Sequence, residues 1–154
     1  MLNYEIEDAS KELAIVRSLK KYSPPFNIEG GYRLIDNGID PEATVQIKAR
    51  GKVIHEASTG NGPVDALANV LKKGLTPLFP ILSEVKLVDF HAVILDSKRG
   101  TSTDVEVTII FTNGKEVWKV HSLSENINAA SFQVLIDGFE YAVLKKQSSG
   151  RRNK

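Results

Sequence analysis

The chain passes twice through the same succession of residue patterns, and this duplication limits its fold more than any single motif does. Residues 43–50 alternate, with Val45, Ile47 and Ala49 on one side and Thr44, Gln46, Lys48 and Arg50 on the other. That is the period-2 signature of a half-buried strand. Gly51 turns the chain, residues 52–59 return as the second arm of a hairpin, and residues 30–36 form a shorter strand beforehand. After Gly60, Asn61 and Gly62 the period changes. Pro63 suits the first position of a helix, Val64, Leu67, Ala68, Leu71 and Leu75 follow at helical spacing, and Pro77 stops it.

The second half repeats the scheme. Residues 85–95 predict a long strand with Val88, Phe90, Ala92 and Ile94 on one face. Residues 103–112 predict another, with Val105, Val107, Ile109 and Phe111 facing one way. Asn113-Gly114 is a strong two-residue hairpin signal, residues 115–122 return, and a helix is expected from about Asn126 to Leu144. Gly51-Lys52 matches Gly114-Lys115, His55 matches Trp118, and Ala57 matches Val120. After one inserted residue, Val70-Leu71 matches Val134-Leu135 and Gly74 matches Gly138.

The expected fold is therefore α+β: duplicated β-β-β-α units with pseudo-two-fold symmetry, preceded by an N-terminal helix over residues 8–22 that Pro24 and Pro25 end. The domain reading is a helix and linker at 1–25, units at 26–82 and 83–146 forming one duplicated β-β-β-α domain, and a flexible basic tail at 147–154. A unit of this kind leaves a sheet face uncovered, so a homodimer is expected to supply cover.

Composition removes several functions. Twenty Lys and Arg against 19 Asp and Glu leave a net charge of +1, too little to recruit nucleic acid or an acidic membrane. The absence of cysteine excludes disulfides, thiolate metal sites and a cysteine nucleophile. No apolar run has membrane length and the N-terminal residues are acidic, so a cytoplasmic protein is expected. His55, His91 and His121 lie on separate strands without ligand spacing, Asp89, Asp104 and Glu106 read as solvent-face carboxylates, and Ser58, Ser122 and Ser124 lack a nucleophile elbow. No catalytic residue, metal site or cofactor is assigned. Helix, three strands, helix is also the order of a double-stranded RNA-binding domain, but the second helix begins Pro63-Val64-Asp65-Ala66, with Lys72 and Lys73 at its far end. That reading is set aside. The loop before Pro63 leaves two readings open, a tight turn or a backbone site for a carboxylate at a helix N-terminus. Ser122 and Glu125 fit a capping box in the corresponding loop.

The string EASTGNGPVDALANVLKKGL at residues 56–75 resembles the signature of the C-terminal regulatory domain of 2-isopropylmalate and citramalate synthases. VKLVDFHAVIL, Gly100-Thr101, Trp118 and SENINAASFQVLIDGFEYAVL agree with it, and Tyr22-Ser23-Pro24-Pro25-Phe26 is more similar to the citramalate branch. The resemblance implies a dimer that binds isoleucine or leucine and feedback-inhibits an acyl-CoA-condensing barrel that these residues do not include. It implies Gly60, Asn61 and Gly62 for the polar end of the effector, and Phe90 and Ile94 for its side chain, with Leu87, Thr103, Val105, Ser124 and Asn126 beside them. Leu87 shares the face of Phe90 only if its strand bulges. Phe90 stands where the family usually has tyrosine, and residues 119–123 lack the family's usual glycine. Those departures keep a second function in view, a dimerisation module without an effector.

Overall fold

The computed structural model describes residues 5–96 and 103–152, with backbone alone for 96 and 149–152. Gly100, Thr101 and the end of the expected tail lie outside the described residues. The elements are β1 (Ile6–Asp8), α1 (Ala9–Arg17), β2 (Asn27–Ile35), β3 (Glu42–Ala49), β4 (Lys52–Thr59) and α2 (Pro63–Leu75), a 3₁₀ turn at Pro80–Glu84, then β5 (Lys86–Asp96), β6 (Thr103–Thr112), β7 (Val117–Ser124) and α3 (Ile127–Arg152). The class is α+β and the β-β-β-α course occurs twice. Two compact units form: one draws on the chain up to Tyr22 and on Glu84–Tyr141, the other on Ser23–Ser83 and the chain from Ala142.

The unit containing Ser23–Ser83 has an antiparallel sheet in the order β2-β3-β4. Its inward row, Ala43, Val45, Ile47 and Ala49, is buried, as the alternation requires, and α2 packs on β3 and β4 with Leu67, Val70, Leu71 and Leu75 buried. The β3–β4 hairpin closes through Arg50 and Gly51, both at positive φ (50° and 74°). That is the geometry of a two-residue primed turn. In β2, Gly30 and Gly31 form a bulge between Glu29 and Tyr32.

The other unit has the sheet order β1-β7-β6-β5, with β1 parallel to β7 and the remaining pairs antiparallel. Val107, Ile109, Phe111, Trp118 and Val120 are fully buried with Val134, Leu135 and Phe139 of α3. Phe111 stacks on Trp118 with centroids 6.0 Å apart and meets Phe139 edge-on at 5.9 Å. The Trp118 indole Nε1 donates to the Gly138 carbonyl at 3.2 Å. A Cβ on Gly138 would lie 2.2 Å from the Phe111 ring, so α3 reaches this sheet only because position 138 has no side chain. Its repeat partner Gly74 has the same relation to its own sheet, where a Cβ would meet the Ile47 Cδ1 at 2.7 Å.

Polar contacts hold α1 to α3. The Arg17 guanidinium reaches Asp137 at 2.7 Å and Glu140 at 3.1 Å, and the Tyr22 hydroxyl donates to Glu140 at 2.8 Å. Burial opposes the Arg17 charge, but hydrogen bonds to and attraction by Asp137 and Glu140 outweigh it and raise its pKa. The Tyr141 hydroxyl donates to Glu12, with Glu7 beside it. Burial, followed by the carboxylates facing them, raises the pKa of both Tyr22 and Tyr141.

Local expectations change in six places. Strand β2 covers Asn27–Ile35 rather than a short strand at 30–36, because pairing with β3 continues past the bulge back to Asn27. The N-terminal helix ends at Arg17, well before the prolines, because the Ser18 N–H and hydroxyl both bond to the Ile15 carbonyl (3.2 and 2.6 Å). Strand β1, three residues long, precedes it unannounced. Helix α3 runs past Leu144 to Arg152, so residues 147–152 are helical. Asn113-Gly114 is part of a four-residue loop, since Thr112 pairs with Val117. The Asn113 Oδ1 there accepts from the N–H groups of Lys115 (3.0 Å) and Glu116 (2.8 Å). This loop is two residues longer than the Arg50-Gly51 turn, and the match of His55 with Trp118 does not carry over to burial: His55 is exposed and Trp118 buried. Finally, α3 is capped by Asn126, whose Oδ1 accepts from Asn128 (2.8 Å) and Ala129 (3.2 Å), rather than by a Ser122–Glu125 box.

Gly138→Ala should gain about 0.5–1 kcal/mol of helix propensity and lose about 1–3 kcal/mol to overpacking against Phe111, for a net loss. Gly74→Ala meets only the end of a flexible Ile47 and should be near neutral. Denaturant midpoints check this; a Gly138→Ala variant as stable as the parent contradicts it. The raised tyrosines also set a pH dependence. Their contribution is complete below the ordinary tyrosine pKa of 10.0 and is lost as pH rises above it, because the unfolded chain then ionises more readily than the folded one. Alkaline titration should therefore show stability falling above that pH, with a shallower fall in Tyr141→Phe.

Candidate functional site

The loop between β4 and α2 is built by close backbone approach. A Cβ on Gly60 would lie 2.3 Å from the Ala66 nitrogen, so this glycine is required by packing against the first turn of α2. The Gly60 N–H donates to the Pro41 carbonyl at 3.1 Å, and the Asn61 N–H to the Asp65 Oδ2 at 2.9 Å. Gly62 is the N-cap of α2 with φ −150° and ψ 174°, an extended conformation open to any residue. Nothing lies within 4 Å of a Cβ built there. Pro63 at the first helical position has no N–H, which leaves the N–H groups of Val64 and Asp65 at the positive end of the helix dipole. Asn69 braces the loop by donating from Nδ2 to the Thr59 carbonyl at 3.0 Å.

Asp65 and Asn69 shape this loop, although neither is among the site residues that the sequence suggests. The signal for Asp65 was available: it stands three residues after the N-cap, where a capping-box acid reaches back to the preceding backbone. Here it reaches one residue further, to Asn61.

The remaining candidates lie in the other unit. Ile94 of β5 pairs with Val105 of β6, which pairs with Ser124 of β7, so these three form one cross-strand row. Thr103 pairs with Asp96, Phe90 with buried Ile109, and Leu87 with Phe111. The register slips between Leu87 and Asp89, which puts Leu87 on the face of Phe90, Ala92 and Ile94 and removes Val88 from that row. The Ser124 Oγ accepts from the Asn126 N–H at 3.2 Å, so both residues also shape the start of α3.

Strand β5 is a sheet edge, 11 residues long, with an apolar row of Leu87, Phe90, Ala92 and Ile94 on one face and Asp89, His91, Val93 and Leu95 on the other. Ile94 is 69% exposed and Val88 60%, while Phe90, Val93 and Leu95 are each near 40%. A long apolar edge of this kind invites pairing unless something covers it. On the outward face, His91 and His121 flank Thr108 in register. Among the described residues no group of three metal-donor side chains converges, and no helix is long and apolar enough to cross a membrane.

Two helix-covered sheets, a glycine loop at a helix N-terminus and an exposed apolar edge make up a small α+β domain. Residues 5–143 match the model of the LeuA allosteric (dimerisation) domain, and the chain belongs to that family. It is 37% identical over 150 residues to the (R)-citramalate synthase of Geobacter sulfurreducens, covering 94% of this chain and 28% of that protein. It is 35% identical over 154 residues to the (R)-citramalate synthase of Aquifex aeolicus, covering 96% and 29%. A 2-isopropylmalate synthase of Carboxydothermus hydrogenoformans is 25% identical over 149 residues, covering 96% and 28%. The chain thus spans less than a third of the length of these relatives.

The two loop glycines should separate under mutation. Gly62→Val should fold with parental stability, because its side chain meets open space, whereas Gly60→Val should be strongly destabilised by collision with the Ala66 backbone. Thermal denaturation checks both; equal stability of the two variants contradicts this account of the loop.

Proposed function

We propose that the chain is a regulatory domain that binds a branched-chain amino acid, isoleucine or leucine, and thereby feedback-inhibits an acyl-CoA-condensing synthase of the citramalate or 2-isopropylmalate type. The observation that carries the reading is the family match over residues 5–143, together with the glycine-loop sequence at the start of α2. We assign the polar end of the effector to Gly60, Asn61 and Gly62. Two of these N–H groups already have partners, so the contact falls on the open side of Gly62 and the first turn of α2, with the Asp65 carboxylate close to Asn61 and suited to an ammonium group. Phe90, Ile94 and Val105 are the proposed contacts of the aliphatic side chain, with Leu87, Thr103, Ser124 and Asn126 in supporting positions.

A helix-terminus contact contributes about 0.3–2 kcal/mol and burial of the aliphatic side chain about 1.5–3 kcal/mol. Isothermal titration should therefore show isoleucine or leucine binding, valine weaker by roughly 10- to 200-fold, and alanine scarcely at all. Gly62→Val should bind none of them. Binding of isoleucine and leucine by Gly62→Val at parental affinity contradicts the loop assignment. One observation favours a second reading, a dimerisation module without effector: Gly60 and Asn61 already spend their N–H groups within the protein. The absence of heat with any of these amino acids would select it.

We also propose a homodimer in which a second copy covers the apolar edge of β5. Sedimentation equilibrium should give a dimer for the parent and a weakened one for Val88→Lys, which places a charge on the exposed strand. A parent that stays monomeric at every concentration contradicts it.

A further inference from the structure

The turn that closes β3 onto β4 contains a conformational anomaly. Arg50 is the only non-glycine residue at positive φ among the described residues, at a position that favours asparagine, aspartate or glycine. Strain of this kind is kept where the surroundings use the side chain it presents. The Arg50 guanidinium is held twice: its Nη1 donates to the Leu78 carbonyl at 2.6 Å, and it lies 4.5 Å from the centroid of the Phe79 ring. Arg50 also lines a cavity of about 300 Å³ that lies wholly within the unit of Ser23–Ser83 and the chain from Ala142. Phe79 and Val143, 4% and 2% exposed, line it together with Ile81, and Lys146 brings a second cation to the lining. Neither Arg50 nor Lys146 pairs with an acid among the described residues.

We propose that this cavity binds a small aliphatic carboxylate lacking an α-ammonium group. The carboxylate would take the free edge of the Arg50 fork and the Lys146 charge, and the aliphatic tail would lie on Phe79, Ile81 and Val143. A fixed guanidinium suits a carboxylate, because little side-chain freedom remains to be lost on binding. The second cation disfavours an ammonium, so the site selects against amino acids, and it shares no residue with the glycine loop. The inference stands or falls independently of the effector reading.

The test is a ¹H–¹⁵N NMR titration of the full chain with isocaproate, its neutral amide isocaproamide, and leucine. Isocaproate should bind saturably, with the largest shifts at Arg50, Gly51, Leu78, Phe79 and Ile81. Isocaproamide should bind at least about tenfold more weakly, the fold-change of one lost charge-assisted contact. Leucine at saturation should leave these shifts in place. Arg50→Asn removes the guanidinium and puts a residue at the turn that tolerates positive φ, so it should keep its melting temperature and lose isocaproate binding. Lys146→Gln should weaken binding, and Gly62→Val should leave it unchanged. Absence of saturable binding, equal binding of the amide, retained binding in Arg50→Asn, or shifts centred on 60–62 would each overturn the proposal.

Discussion

The contact between Gly138 and the Phe111 ring sets how closely α3 can approach its sheet, and much of that unit follows from it. With no side chain at position 138, the backbone carbonyl comes within reach of the Trp118 indole, and Phe139 can close on Phe111 edge-on. The helix then covers the row Val107, Ile109 and Phe111 completely. Strand β5 is the next strand outward, and there the cover gives out: Phe90 and Ile94 share the inward face yet remain exposed. Dense packing at the centre of the sheet and an open apolar edge are two results of one helix lying on a four-stranded sheet. At the matching Gly74 the close approach is to the end of the Ile47 side chain, which can give way, so the absence of a side chain matters less there than at Gly138.

How much of this could be read from the residues depended on whether the signal was local. Helix α2 begins at Pro63 and ends at Leu75, where its periodicity and Pro77 place it, and β6 occupies residues 103–112 as its alternation requires. Strand β1 was invisible because three residues carry no period, and its parallel partner β7 lies more than a hundred residues away. The helix α1 was overextended because Val16 and Leu19 continue its stripe, whereas its end is decided by the Ser18 hydroxyl. Asn113-Gly114 suggested a tight turn, but Thr112 and Asn113 use their side chains to hold a wider loop. The true two-residue turn has arginine at its first position, a choice that no turn propensity would suggest.

The geometry around the candidate residues was legible only in part. The glycine string was conspicuous, but its two glycines have different duties. Gly60 is demanded by backbone contact, while a side chain at Gly62 would meet open space. Sequence spacing alone cannot make that distinction, since it depends on where Ala66 comes to rest. The parity conflict at Leu87 was visible in the residues, and the register slip between Leu87 and Asp89 resolves it. Family membership is shown by the match over residues 5–143, which takes in both of these regions.

Amide hydrogen exchange of the chain with and without saturating isoleucine addresses the effector reading at the residues that carry it. The account predicts slowed exchange at Gly62, Val64 and Asp65, the backbone amides at the start of α2 to which the effector contact is proposed. Unchanged exchange at these amides, under conditions where isoleucine is bound elsewhere or not at all, would contradict it.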